Sequence, residues 1–203
     1  ILPHGLRVEI VNGSGVDTEE FTPAPFPDGP PRFLLIARLL GDKGIREYAA
    51  AAALLKDRYP KVEFHLAGPL DPNPDAIPES EVRSWQDAGH LIWHGPLSDV
   101  RPAIAASHVY VLPSYREGTP RTVLESMAMG RAIITTDAPG CRETVLDGEN
   151  GFLVTIGNAA ALAEAMQRFV DNPFLIASMG QKSLEIAQEK YDVRKVNAAM
   201  LQI

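Results

Sequence analysis

The chain has 203 residues, 45% hydrophobic and 22% charged, with a formal net charge of -7. That length suits one sizeable core, and the acidic balance excludes nucleic acid as the main partner, since backbone phosphates are bound by clustered Lys and Arg. The single cysteine, Cys141, excludes an internal disulfide, and no apolar run approaches the length of a membrane span.

The start, Ile1 to Gly5, has neither a methionine nor the basic region and long apolar run of a signal peptide, which points to a piece of a longer protein. Short apolar runs then alternate with helical patterns, the signature of a doubly wound parallel sheet with helices on both faces. The predicted strands are Arg7 to Val11, Arg32 to Ala37, Val62 to Ala67, His90 to Trp93, His108 to Leu112, Ala132 to Thr136 and Gly151 to Val154. Between them the 3.6-residue period predicts helices over Gly44 to Arg58, Pro78 to Ala88, Val100 to Ala106 and Pro120 to Met129. After the last strand the chain turns helical to its end: a helix capped by Asn158, then Pro173 to Gln188 and Val193 to Leu201. The Pro-rich stretches Thr22 to Pro31 and Asp71 to Pro78 read as loops, and neither separates two domains. One α/β, Rossmann-like domain is therefore expected over residues 1–203.

Two constellations carry chemistry. Arg38 and Lys43 lie at the carboxyl end of a predicted strand and at the opening of the next helix. An Arg fork, a mobile Lys charge and a helix N-terminus together make an anion site in an otherwise acidic protein. The segment from Glu117 to Glu125 follows the apolar run Val109 to Leu112, giving strand, turn, helix, with Thr119 as N-cap and Pro120 at the first helical position. Ligands of open parallel sheets bind at the carboxyl ends of strands. Carboxylates there accept from the paired hydroxyls of sugars and ribose, and the amides of Gly118 and Thr119 add donors. Taken singly, each constellation also reads as solvated surface charge.

Other patterns point nowhere. Gly13-Ser14-Gly15 fails the dinucleotide fingerprint because Thr18 stands at the third glycine, and no Asp-x-Asp occurs to hold a metal-bound diphosphate. Ser114 and Ser126 lack the glycines of a nucleophile elbow, and Cys141 has no His partner in the sequence pattern. His90 and His94 share a face of a strand, which reads as packing and not as a metal site. Arg116 and Arg121 flank the acidic motif, and Glu143 reads as a helix-end stabiliser.

Several blocks now occur in order: Asn12-Gly13-Ser14-Gly15-Val16-Asp17 running to Phe21, the loop from Arg38 to Gly44, and Phe64-His65-Leu66-Ala67-Gly68. They continue with Pro113-Ser114-Tyr115-Arg116-Glu117-Gly118-Thr119-Pro120, Glu125-Ser126-Met127-Ala128-Met129-Gly130 and Gly148-Glu149-Asn150-Gly151-Phe152-Leu153-Val154. Together they resemble the C-terminal, nucleotide-sugar-binding half of GT-B glycosyltransferases of family 4. The stretch Thr136 to Thr144 is most similar to bacterial members that extend lipid-linked glycans for capsules, exopolysaccharide or O-antigen.

The resemblance implies that Arg38 and Lys43 hold the diphosphate of a UDP- or GDP-linked sugar and stabilise the leaving group. Glu117, with the Gly118 and Thr119 amides and Pro120 beside them, would hold sugar hydroxyls. Glu125 would accept from the ribose diol, and the base would lie against Gly95, Pro96 and Leu97. It implies transfer of a hexose or N-acetylhexosamine with retained configuration and without a metal or other cofactor. Partners would be an N-terminal acceptor half of the same enzyme and, through it, a lipid-linked or glycan acceptor. The setting would be cytoplasmic, at the inner face of the plasma membrane. This chain alone would transfer nothing. The alternatives are a nucleotide-sugar-binding module without transferase activity and a sugar-nucleotide epimerase of similar fold. One departure stands out: the Asn12 to Asp17 loop has two residues more than the usual Asn-Gly-Val-Asp, which leaves its glycines without an assigned role.

Overall fold

The computed structural model describes residues 13–202. The predicted strand Arg7 to Val11 and Asn12 lie outside them. Six parallel strands follow, close to their predicted bounds: β1 Arg32–Ile36, β2 Glu63–Ala67, β3 Ile92–Trp93, β4 Val109–Leu112, β5 Ala132–Thr136 and β6 Gly151–Val154. Seven α-helices alternate with them and close the chain: α1 Ile45–Lys56, α2 Glu79–Asp87, α3 Arg101–Ala105, α4 Arg121–Ala128, α5 Ala159–Asp171, α6 Phe174–Lys190 and α7 Val193–Met200. No helix among the described residues is long and apolar enough to cross a membrane.

The strand order is β3-β2-β1-β4-β5-β6, so the direction of winding reverses between β1 and β4. The period of two along each strand divides the core between the faces. Phe33 and Leu35 of β1, Phe64 and Leu66 of β2, and Val109 and Val111 of β4 point to the face covered by α1 and α5. Leu34, Ile36, Tyr110 and Leu112 point to the other, under α3 and α4. Strands buried on both faces carry no polar alternation, which is why β4 and β5 read as plain apolar runs and are wholly buried.

Helix ends follow their caps. Asn158 accepts from the Ala161 amide at 3.0 Å and starts α5, as expected. The start of α4 differs from expectation. Pro120, with extended backbone at φ -70 and ψ 108, occupies the cap position, and no side chain caps the helix. Thr119 therefore does not serve as N-cap. The Asp71 to Pro78 loop is also more than a connector. The Asp75 carbonyl accepts from Gly41 N at 2.9 Å and its carboxylate from Asp42 N at 3.1 Å, so the loop clasps the turn after β1.

Tyr110 ties the two central elements together. Its buried hydroxyl lies 3.0 Å from the Ile36 carbonyl at the end of β1 and 2.6 Å from the Thr122 hydroxyl in α4, and burial pushes the phenol well up. Tyr110→Phe takes this partner from the half-buried Thr122 hydroxyl and from the Ile36 carbonyl. It is expected to cost about 1–3 kcal/mol, read as a lower urea midpoint with an unchanged slope.

Candidate functional site

The loop leaving β1 carries the two predicted cations. The Arg38 guanidinium, 64% exposed, donates to Asp71 Oδ2 at 3.1 Å. Lys43 ends a short 3-10 turn, Gly41–Lys43, and Gly44 follows in the left-handed region at φ 69. Only glycine fits there, because a Cβ would lie 2.1 Å from the Pro113 carbonyl oxygen. The turn is thus pressed against the loop after β4, and the Asp42 carbonyl accepts from Tyr115 N at 2.8 Å and the Ser114 hydroxyl at 3.1 Å. That seam brings Lys43 Nζ to Glu117 Oε1 at 2.7 Å.

Glu117 is held from the other side by the loop after β5. Its amide donates to the Pro139 carbonyl at 3.0 Å, and Gly140, at φ 84, lies so close that a Cβ would meet the Glu117 carbonyl oxygen at 2.1 Å. The amides of Gly118 and Thr119 have no acceptor among the described residues, and the space around Gly118 is open. Pro139 and Gly140, which lie within the Thr136 to Thr144 stretch, are positioning residues that sequence reasoning missed, together with Asp71 and Asp75.

Glu125 sits in α4, 5% exposed, and accepts from Arg121 Nε at 2.8 Å. Burial pushes its carboxyl up from the usual range, and the Arg121 charge offsets part of that rise. Arg121, which flanks the acidic motif in the sequence, thus answers the charge of Glu125. Both side chains border a cavity of about 250 Å³ whose far wall is Ser14, Gly15, Asp17 and Phe21. The lengthened loop thus has a place: it walls the space in front of Glu125.

The predicted base contacts lie on the third loop along. The Gly95 carbonyl accepts from Gly68 N at 2.8 Å, which aligns the loops after β2 and β3. Leu97 borders a second cavity, of about 260 Å³, with Leu34, His65, His94, Ala103 and Ala106. His94 pairs there with His65, Nε2 to Nδ1 at 2.8 Å, and not with His90. His65 in turn contacts Glu63 at 3.2 Å, and burial holds its pKa down. No group of three or more His, Cys, Asp or Glu among the described residues is arranged to hold a metal. Cys141 is buried with its thiol pushed up, which leaves it inert. Glu143 offers its backbone, accepting from Lys190 Nζ at 2.9 Å and the Tyr191 hydroxyl at 2.5 Å.

The structure thus joins Lys43 to Glu117 across the point where the sheet changes direction, the place where open α/β sheets bind ligands. Arg38 flanks them on the same loop as Lys43. Glu125 faces a cavity that neither Arg38, Lys43 nor Glu117 lines, and Gly95 and Leu97 lie two strands over, beyond β2.

Comparison with known proteins bears on what such a site serves. The chain is 32% identical over 204 residues to the putative glycosyltransferase EpsD of Bacillus subtilis (strain 168), covering 95% of this chain and 53% of that protein. It is 33% identical over 165 residues to an N,N'-diacetylbacillosaminyl-diphospho-undecaprenol alpha-1,3-N-acetylgalactosaminyltransferase of Campylobacter jejuni, covering 81% of this chain and 42% of that one. The chain thus spans about half the length of the curated relatives it matches. Among solved structures, sucrose-phosphate synthase from Thermosynechococcus elongatus superimposes with a TM-score of 0.81 at 27% identity, over 93% of this chain and 50% of that one. Anabaena HepE in complex with UDP gives 0.79 at 21% identity, over 93% and 55% respectively, a likeness of fold. These neighbours are glycosyltransferases of the GT-B fold. The family model described as Glycosyl transferases group 1 matches residues 30–172, all six strands of the sheet and the loops at their ends but not the Ser14 to Phe21 wall, and this chain belongs to that family.

Proposed function

We propose that residues 1–203 form the donor-binding half of a retaining glycosyltransferase that moves a hexose or N-acetylhexosamine from a nucleoside diphosphate during bacterial surface-polysaccharide assembly. The observation that carries this reading is the pairing of a phosphate-suited cation with a sugar-suited acid, Lys43 with Glu117, at the switch point of the sheet. Relatives named for undecaprenol-linked transfer and for capsular polysaccharide biosynthesis, and fold neighbours solved with UDP and UDP-glucose, support the substrate class. The glycosyltransferase family match favours transfer over the epimerase alternative.

In this reading Arg38 and Lys43 take the diphosphate. They stabilise the negative charge that grows on the leaving phosphate as the glycosidic bond breaks, and so supply the counter-charge that other enzymes draw from a metal. Glu117 and the free Gly118 and Thr119 amides, with Pro120 fixing their turn, hold the sugar hydroxyls and orient its anomeric carbon. Glu125 accepts from the ribose diol in the cavity it borders, and the base rests against the backbone at Gly95 and Leu97. Neither acid acts as nucleophile or general acid. The acceptor and the opposite wall of the cleft belong to a partner half, so this chain binds donor but transfers nothing alone. The full-length enzyme works in the cytoplasm at the inner face of the plasma membrane, on a lipid-linked or glycan acceptor.

Calorimetry of this chain with UDP and GDP tests the assignment. Arg38→Ala and Lys43→Ala are each expected to weaken the nucleotide that binds by about tenfold or more, the range for hydrogen bonds to charged groups. Glu125→Gln is expected to weaken it several-fold. If neither nucleotide binds, or the three substitutions leave affinity unchanged, the reading is wrong.

The Glu125 assignment has a second consequence. A carboxyl whose folded pKa is raised contributes stability that is present below its unfolded value, near 4.5, and is lost as pH rises through the folded value. Glu125→Gln should therefore melt higher than the wild type at neutral pH while binding donor less well. The gap in melting temperature should close as pH falls below about 4.5. A gap that is independent of pH refutes this.

A further inference from the structure

We infer that Glu117 makes the site discriminate between a sugar-loaded nucleotide and the bare nucleoside diphosphate, by exchanging its partner between Lys43 and the sugar. The inference rests on the donor-binding reading above and adds to it a step that the residue roles alone do not contain.

The starting point is that the two groups assigned to different parts of one donor are bonded to each other. Lys43 Nζ and Glu117 Oε1 are 2.7 Å apart, and their side chains are only 16% and 17% exposed. Their backbones cannot drift apart, because Gly44 is seated on Pro113 and Gly140 on Glu117 itself. Only the side chains can rearrange, and Lys has a flexible four-carbon stem with three rotatable donors.

A bare diphosphate that takes Lys43 strips Glu117 of its cation and leaves a poorly solvated carboxylate beside an incoming anion. Both effects oppose binding, since a half-buried carboxylate without donors is costly and like charges repel. A sugar nucleotide avoids the conflict. Its hydroxyls donate to Glu117 in place of the ammonium, which frees Lys43 for the phosphate. When the sugar has been transferred those donors leave with it. Glu117 then competes again for Lys43, and the hold on the product nucleotide loosens. Arg38 is paired with Asp71 and Arg121 with Glu125, so neither is a ready substitute partner for Glu117, and the exposed Arg116 beside it makes no ion pair with it.

The experiment measures affinities of this chain for UDP and UDP-glucose, and for GDP and GDP-mannose where the guanine nucleotide is the one that binds. Glu117→Gln, which removes the charge and keeps the shape, should bind the bare diphosphate about fivefold tighter than the wild type, the scale of a partly exposed ion pair. It should bind the sugar nucleotide no tighter, so the preference for the loaded form collapses. Glu117→Asp, whose shorter arm weakens the contact with Lys43, should shift the same ratio in the same direction and replaces the Gln variant should that fail to fold. If Glu117→Gln leaves bare diphosphate affinity unchanged or lower while Lys43→Ala weakens it, the exchange is wrong and the donor reading stands. If Lys43→Ala has no effect on the diphosphate, the phosphate assignment itself falls, and the exchange with it.

Discussion

The reversal of strand order between β1 and β4 is the constraint on which the rest of this structure depends. At that seam two loops that leave neighbouring strands must pass close together, and here they touch backbone to backbone. Gly44 against Pro113, Asp42 against Tyr115, and Gly140 against Glu117 form a row of main-chain contacts, to which the Ser114 hydroxyl adds a bond to the Asp42 carbonyl. Backbones held by such a row cannot drift apart, so Lys43 and Glu117, 74 positions apart in sequence, meet at hydrogen-bond distance. The strands beneath are buried on both faces and supply the rigid floor that makes this precision possible.

Charges in this protein divide into two kinds by what answers them. Arg131 is fully buried with no ion pair to an acid among the described residues, and four carbonyls, of Ala24, Pro25, Ile104 and Ala105, accept from its guanidinium. Burial pulls its pKa down to about 10, and the residue cements α3 to the loop before β1. The site cations are different: Lys43 and Arg38 are each answered by one carboxylate, at least partly exposed, in a geometry that a ligand can displace. A cation wired to carbonyls is structural, since carbonyls cannot leave. One paired to an acid can be exchanged.

Much of this fold is legible in the sequence because parallel strands and amphipathic helices leave strong periodic signals. The apolar runs Ala132 to Thr136 and Gly151 to Val154 coincide with β5 and β6 to the residue. The start of α4 was placed one residue early because Thr119 is a favoured cap type and Pro120 a favoured first helical residue, and local pattern does not say which backbone turns extended. For the site, the residue types at the strand ends could be read, since Arg, Lys and Glu beside glycine turns are distinctive. Their partners could not. Asp71 on Arg38, His65 on His94 and Gly140 on Glu117 depend on which loops the sheet order sets side by side, and spacing along the chain carries no record of that. Arg121 with Glu125 is readable in principle, because residues four apart on a helix are neighbours, although in the sequence Arg121 stands out only as flanking the acidic motif.

An acidic chain proposed to bind a diphosphate poses an electrostatic problem, and the pairings answer it. With a formal charge of -7 the long-range field repels a nucleotide, so steering cannot provide the affinity. Piling up cations at the seam would provide it, but would also hold the product nucleotide as tightly as the donor. Pairing each cation with an acid keeps the empty site near neutrality and makes affinity depend on what the ligand returns to the displaced carboxylates. Phosphate oxygens return nothing to Glu117, because they are acceptors at neutral pH. Hydroxyls do return something, and a ligand that carries both chemistries, at the separation the two loops impose, is the one that satisfies every group. Selectivity then arises from complementarity at close range, which survives salt far better than a field would.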